Sequence, residues 1–397
     1  MSGIALPMGR HTWRLQALPP LALYIHMPWC VRKCPYCDFN SHEAKGEMPE
    51  QAYLDALVRD LELALPAIWG RRVVSIFFGG GTPSLFSAAG LDRLLCDIRA
   101  RVNLHTDAEI TLEANPGTFE ADKFRDYRAA GINRLSIGIQ SFNPRHLKAL
   151  GRIHDDNEAR RAIEIAHRHF DNFNLDLMYA LPGQTMAEAS QDLRTAVAME
   201  STHLSAYHLT LEPNTLFYRY PPELPDDEQS ADMQEMVESA LAEAGFDHYE
   251  TSGFAKPGQY CKHNLNYWQF GDYLGIGAGA HSKLSFHDRI VREMRYKQPA
   301  QYMQQVAAGT PVHEHRQVSL DQLPFEFMMN LMRLTGGFLP QLFAERTGLQ
   351  LTVVEQALQQ AEQKGLVARD HTCIRPTLTG QRFLNDLLQL FLTEEPT

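Results

Sequence analysis

Leu21-Ala22-Leu23-Tyr24-Ile25-His26-Met27-Pro28-Trp29-Cys30-Val31-Arg32-Lys33-Cys34-Pro35-Tyr36-Cys37 is the stretch that decides how this chain is read. Residues 22–27 form a short apolar run that predicts a strand, and Pro28 stops it because proline brings no backbone donor to a sheet. A loop with the spacing C-x3-C-x2-C follows at once. Residues 1–20 carry Arg10, His11 and Arg14 but no continuous apolar segment, so they read as an N-terminal arm and not as a secretory signal. A cytoplasmic protein keeps its thiols reduced, and the tight trio is then metal-binding or redox-active. Cys30, Cys34 and Cys37 can hold three corners of an iron–sulfur cube, leaving the fourth iron without a protein thiolate. Zinc is the alternative. It needs a fourth ligand, from His26, His42 or Cys261, and the chain has no second Cys-x-x-Cys pair. Arg32 and Lys33 would offset the charge of a thiolate-bound cluster.

Outward from this loop, apolar runs at 73–78, 109–112, 134–139, 174–178 and 204–211 alternate with stretches of helical spacing at 51–65, 91–102, 120–130, 156–169 and 187–199. Parallel strands need crossover connections, usually helical, so the alternation predicts a parallel α/β sheet, doubly wound or closed into a complete or partial barrel. Several runs end in small, polar or charged residues: Gly79-Gly80-Gly81-Thr82-Pro83, Glu113-Ala114-Asn115-Pro116 and Gln140-Ser141, with Asp176 inside the fifth. Parallel strands bring such ends to one rim, where α/β folds build their sites.

The pattern divides the chain into an arm at 1–20, a core at 21–245, a Gly- and aromatic-rich hairpin and loop extension at 246–298, and a mainly helical domain at 299–397. Helices at 322–333, 339–347 and 353–364, a hairpin at 365–376 and a helix at 379–392 resemble a winged-helix unit. No basic helix stands out there, so a packing or lid role is expected. The 397 residues carry 37 Lys and Arg against 48 Asp and Glu, a net charge of −11, which argues against a broad nucleic-acid-binding surface. No apolar run reaches the roughly 18–20 residues that span a bilayer.

The cysteine spacing, with Tyr36 before the last cysteine, and the glycine-rich turn resemble the radical S-adenosylmethionine (SAM) superfamily. That resemblance implies a partial (β/α)6 TIM-like barrel. Leu23-Tyr24-Ile25-His26, Glu113-Ala114-Asn115-Pro116, Gln140-Ser141-Phe142 and Asn174-Leu175-Asp176-Leu177 are similar to the oxygen-independent coproporphyrinogen III oxidase group within it, over about residues 20–390. Cys34-Pro35-Tyr36-Cys37-Asp38-Phe39 and His263-Asn264-Leu265-Asn266-Tyr267-Trp268 resemble the heme chaperone HemW branch of that group. The oxidases carry a further cysteine where this chain has Phe39, and a longer segment before the cysteines. Both differences favour the chaperone branch over porphyrinogen decarboxylation.

The resemblance implies a [4Fe–4S] cluster on Cys30, Cys34 and Cys37, with SAM chelating the open iron and an electron donor needed to reduce the cluster. It maps SAM contacts onto Tyr24, Gly80, Gly81, Thr82, Glu113, Gln140, Arg152 and Asp176. Glycines allow close approach of backbone to a ligand, and the two carboxylates could accept from an ammonium or ribose hydroxyls. It also implies heme, with His263, Asn264, Tyr267 and Trp268 as the candidate site, Cys261 as an alternative ligand, and a heme-accepting protein as partner. His313 and His315 read as an exposed loop.

Overall fold

The computed structural model describes residues 13–117 and 123–392. Six strands, β1 (Leu21–Met27), β2 (Arg72–Gly80), β3 (Asn103–Ala114), β4 (Arg134–Gln140), β5 (Phe173–Tyr179) and β6 (His203–His208), pair in parallel in chain order. The crossovers carry α1 (Glu50–Ile68), α2 (Ala88–Arg101), α3 (Phe124–Ala130), α4 (Asp156–His169) and α5 (Met186–Ala198). These match the six expected strands and five helices, and the result is the open, partial (β/α)6 barrel. The first turn expected for the helix at 120 lies outside the described residues. Local chemistry fixes several helix starts: Asp155 with Glu158 and Thr185 with Glu188 form reciprocal capping boxes at α4 and α5.

Strand β3 is longer than residues 109–112. Its first half is too polar to show as an apolar run, and a bulge between Val73 and Ser75 absorbs the extra length. Helix α6 (Asp227–Glu243) follows the barrel strands. At the β6 edge the sheet continues antiparallel through β8 (Gly253–Ala255) to β7 (Asp247–Glu250). At the other edge, β9 (Asp272–Ile276) pairs parallel with β1, a seventh parallel strand that composition did not single out. Beyond it run β10 (His281–Ser285), β11 (Ile290–Arg295) and β12 (Val312–Gln317), all antiparallel. Buried ion pairs fasten this extension to the barrel: Asp272 to Lys283 and Arg71, and Arg295 to Asp60 on α1.

The expectation of only hairpins and loops at 246–285 needs correcting: residues Lys262–Trp268 form a helix, here α7, between β8 and β9. Its cap comes from a distant strand, as described below, and a local reading has no access to it.

The barrel core is a layer of apolar side chains between the sheet and its outer helices. A second core, with Phe327, Phe338 and Phe343 at its centre, belongs to the C-terminal helices and also takes in Leu15 and Phe270. The first three of those helices and the small hairpin fall where expected. The single helix expected at 379–392 is instead two, Leu378–Arg382 and Leu384–Gln389, broken at Phe383. Strand β12 ties residues 312–317 to the sheet before these helices begin. Residues 1–12 of the arm lie outside the described residues. Its remainder is docked: Trp13 Nε1 donates to the Thr347 carbonyl at 2.7 Å and Leu15 is buried.

Candidate functional site

Polar side chains alternate along the inner face of the barrel: Ser75 on β2, Glu109, Thr111 and Glu113 on β3, Arg134 and Ser136 on β4, Asn174 and Asp176 on β5, and His203 and Ser205 on β6. In a strand, residues two apart share a face, and here the face opposite the helices is polar. At the C-terminal ends of the strands this interior opens into a cavity of about 470 Å3. Cys30, Cys34 and Cys37 line it as free thiols, together with Gly80, Gly81, Thr82, Glu113, Gln140, Arg152 and Asp176. Ten of the expected cluster and SAM residues thus meet in one place.

The cysteine loop is sewn to the glycine turn. Gly81 N–H donates to the Met27 carbonyl and Thr82 N–H to the Trp29 carbonyl, both at 2.7 Å. A Cβ on Gly80 would stand 2.5 Å from the His26 ring, and one on Gly81 would stand 2.6 Å from the Trp29 oxygen. Gly80 also has a φ of +118°, which disfavours any side chain. The glycines therefore admit the first strand and the cysteine loop, and both also line the cavity. His26 completes the join: Nε2 donates to the Asn40 carbonyl at 2.8 Å, so Nδ1 accepts from the Tyr24 hydroxyl at 3.0 Å.

The donor set suits an iron–sulfur cluster. Burial raises the Cys30 and Cys37 thiols, the neighbouring cysteines raise them further, and Thr82 and Ser41 counter this with hydrogen bonds. Arg152 Nη1 lies 3.8 Å from Cys34 Sγ. Among the described residues, no three His, Cys, Asp or Glu side chains converge on a single metal ion.

Beside the thiols, Glu113 Oε2 accepts from Gly80 N–H at 3.1 Å. Burial, with Asp176 opposite, pushes its carboxyl up to about 8. Burial also raises Asp176, against hydrogen bonds from Asn174 and Ser136. The pair holds a proton that a cation placed beside it would displace. Gln140 reaches the cavity from a left-handed backbone position, φ 66°, where the strand breaks register. Such strain in a non-glycine residue is typical of sites. Arg152 is engaged by the protein itself, with Nη2 donating to Asn115 Oδ1 at 2.7 Å and the Gly138 carbonyl at 2.8 Å. Tyr24 does not line the cavity; its ring stacks on Phe77 one layer below. Met178 and Tyr207 do line it and were not singled out in the sequence. For Tyr207 a signal exists in the alternation His203-Leu204-Ser205-Ala206-Tyr207.

The residues expected to hold heme lie elsewhere. Helix α7 closes the N-terminal end of the barrel, with the Glu109 carboxylate accepting from the N–H groups of Lys262 and His263 at 3.1 Å each and from the Cys261 thiol at 3.4 Å. His263 Nδ1 meets Ser75 Oγ at 3.1 Å, and its ring centroid is 4.9 Å from that of Phe77. Burial pulls the imidazole down to about 4, so it is neutral. Ser75 precedes Gly80 by five residues, about 16 Å of strand. Tyr267 packs on Tyr273, and Arg333 covers the Trp268 ring at 4.3 Å. The motif thus points into two packing interfaces, and its four residues do not share the cluster cavity.

A sequence profile of the Radical SAM superfamily matches residues 24–196, and one of the HemN C-terminal domain matches residues 318–383. The fold is that of the coproporphyrinogen III oxidase of Escherichia coli, with a TM-score of 0.81 at 24% identity over 95% of this chain and 91% of that one. The heme chaperone HemW of Bacillus subtilis is 34% identical over 94% of this chain and 99% of its own length. That of E. coli is 50% identical over 95% and 99%. On identity of this extent, spread over nearly the whole of both chains, the protein belongs to the heme chaperone HemW family of the radical SAM superfamily.

Proposed function

We propose that the protein is a heme chaperone, binding heme and passing it to an acceptor protein, on a scaffold that carries a [4Fe–4S] cluster and SAM in the cytoplasm. The observation that carries this reading is the 50% identity with the E. coli chaperone across almost the full length of both chains. Cys30, Cys34 and Cys37 would hold the cluster. Glu113 and Asp176 would face the ammonium or ribose of SAM, with Thr82 and Gln140 beside them, and Arg152 would support the Cys34 sulfur from the protein side. When bound and reduced by an electron donor, the cluster would supply one-electron chemistry toward the SAM sulfonium. Phe39, standing where the oxidases of the wider group carry a cysteine, favours this reading over porphyrinogen oxidation.

The test is anaerobic reconstitution with iron and sulfide, followed by hemin titration and incubation with coproporphyrinogen III. Saturable hemin binding at low micromolar concentration, with the porphyrinogen left unchanged, is the expected result. Absence of saturation, or turnover of the porphyrinogen with stoichiometric 5′-deoxyadenosine, would overturn it.

A further inference from the structure

Helix α7 gives a macrocycle little access. His263 is enclosed by Phe77 and Tyr24 and tied to Ser75, while Tyr267 and Trp268 are covered by Tyr273 and Arg333. A planar ligand could slide between these residues only by prising the helix from the barrel or from the C-terminal domain. The Glu109 cap, which takes three donors, opposes the first of these movements.

The cluster end presents the reverse arrangement. Phe39 lies two positions after Cys37, lines the cavity and is still 58% exposed. The backbone around this ring is held from both sides. Lys33 Nζ donates to the Phe39 carbonyl at 3.2 Å, and the adjacent Asn40 donates to the Ala278 and Lys297 carbonyls at 2.9 Å each. A neighbouring segment packs on the cysteine loop. Phe217 N–H donates to the Pro35 carbonyl at 3.0 Å and its ring contacts Tyr36, leaving Tyr218 and Tyr220 of the same segment 58% and 65% exposed. An exposed aromatic ring on an anchored backbone offers a flat apolar face to a planar ligand. Arg32, exposed on the same cavity wall, supplies a guanidinium for a carboxylate.

We infer that heme docks across the cluster-end mouth of the barrel, with its macrocycle on the Phe39 ring and a propionate toward Arg32, and not on helix α7. The inference rests on the heme-chaperone reading and deepens it by naming the site. The cavity, about 470 Å3, is of ordinary ligand size, and the cluster and SAM claim it. The macrocycle accordingly lies over the mouth, with its outer face toward solvent, where an acceptor can reach it.

The experiment is hemin titration of the anaerobically reconstituted full chain and three variants. Phe39→Ala should weaken hemin binding at least tenfold while the cluster absorbance is unchanged. Phe39→Trp should keep the affinity within threefold, and hemin should quench the added indole fluorescence beyond the quenching seen in the unaltered protein. His263→Ala should bind hemin within threefold of the unaltered protein. Unchanged affinity in Phe39→Ala, no extra quenching in Phe39→Trp, or a tenfold loss confined to His263→Ala would each overturn the site while leaving the chaperone reading standing. Failure of the unaltered protein to saturate with hemin would instead defeat that reading, and this site with it.

Discussion

At the two ends of the barrel interior, Glu109 and Glu113 stand four residues apart on the same strand. Glu109 accepts from two backbone N–H groups and a thiol and lies 4.0 Å from the Arg134 guanidinium. Glu113 accepts from the single N–H of Gly80 and faces a second carboxylate. The same residue type, on the same face of one strand, is saturated at one end and short of positive charge at the other. The strand spacing cannot distinguish these cases, because both residues repeat at period two. What separates them is the partner: helix α7 has filled one end, and the other is left for something the protein must bind.

The comparison breaks most visibly at the thiols. Replacing Cys34 with Ser should abolish the cluster's visible absorbance after reconstitution, leave the far-ultraviolet circular dichroism unchanged and move the melting temperature by only a few degrees, since the side chain takes no part in either core. A retained cluster would show that the ligand assignment is wrong. The next largest effect belongs to the filled end. Glu109→Ala strands the Arg134 charge and the first two N–H groups of α7, and breaking a buried pair of this kind costs about 3–5 kcal/mol. Glu113→Gln replaces a carboxyl that the fold already holds protonated near neutral pH, so it strands no charge and should not destabilise the protein. Urea denaturation of the two variants checks the contrast, and equal losses would erase it.

The open end was the more legible one. Its residues lie at strand ends and in one loop, where glycine, proline and cysteine are local signals, and a seventeen-residue stretch holds all three thiols. The polar lining was harder to see. In His203-Leu204-Ser205 and Arg134-Leu135-Ser136 the outward apolar residues make the run read as a buried strand and mask the inward polar ones. The filled end was not legible at all. Whether His263-Asn264-Leu265-Asn266-Tyr267-Trp268 is a helix or a loop depends on a carboxylate more than 150 residues earlier in the chain, and β9 became parallel because β1 had a free edge beside it.

A pH series sharpens the difference between the two carboxylates. The folded-state value of Glu113 stands at about 8, above its ordinary 4.5. The folded protein therefore binds a proton more tightly than the unfolded chain between those limits. The stability this contributes is fully present below about 4.5 and is lost as pH rises toward 8. The loss should amount to about 2–4 kcal/mol, discounted for the partial exposure of the side chain, and Glu113→Gln should flatten the profile. A cation placed beside Glu113 favours the ionised form. SAM affinity should accordingly rise as pH climbs toward 8, with protons released on binding, and calorimetry in two buffers of different ionisation enthalpy measures that release. Affinity independent of pH would remove Glu113 from the SAM site.

The smallest expected effect lies at the filled end, where one donor is left over. Trp268 Nε1 is buried without a partner while Arg333 covers the ring. Replacing the indole with Phe relieves the stranded N–H, whose cost is about 1–3 kcal/mol. It also weakens the cation–π contact, worth about 0.5–1 kcal/mol at a site like this, and leaves a gap where the larger ring was. These contributions oppose one another, so Trp268→Phe should shift stability by about 1 kcal/mol or less in either direction. If the indole only packs the seam between barrel and C-terminal domain, hemin affinity should be unchanged as well. A variant of normal stability that has lost hemin binding would mean that the filled end opens to receive the macrocycle, and the contrast between the two ends would then hold only for the heme-free protein.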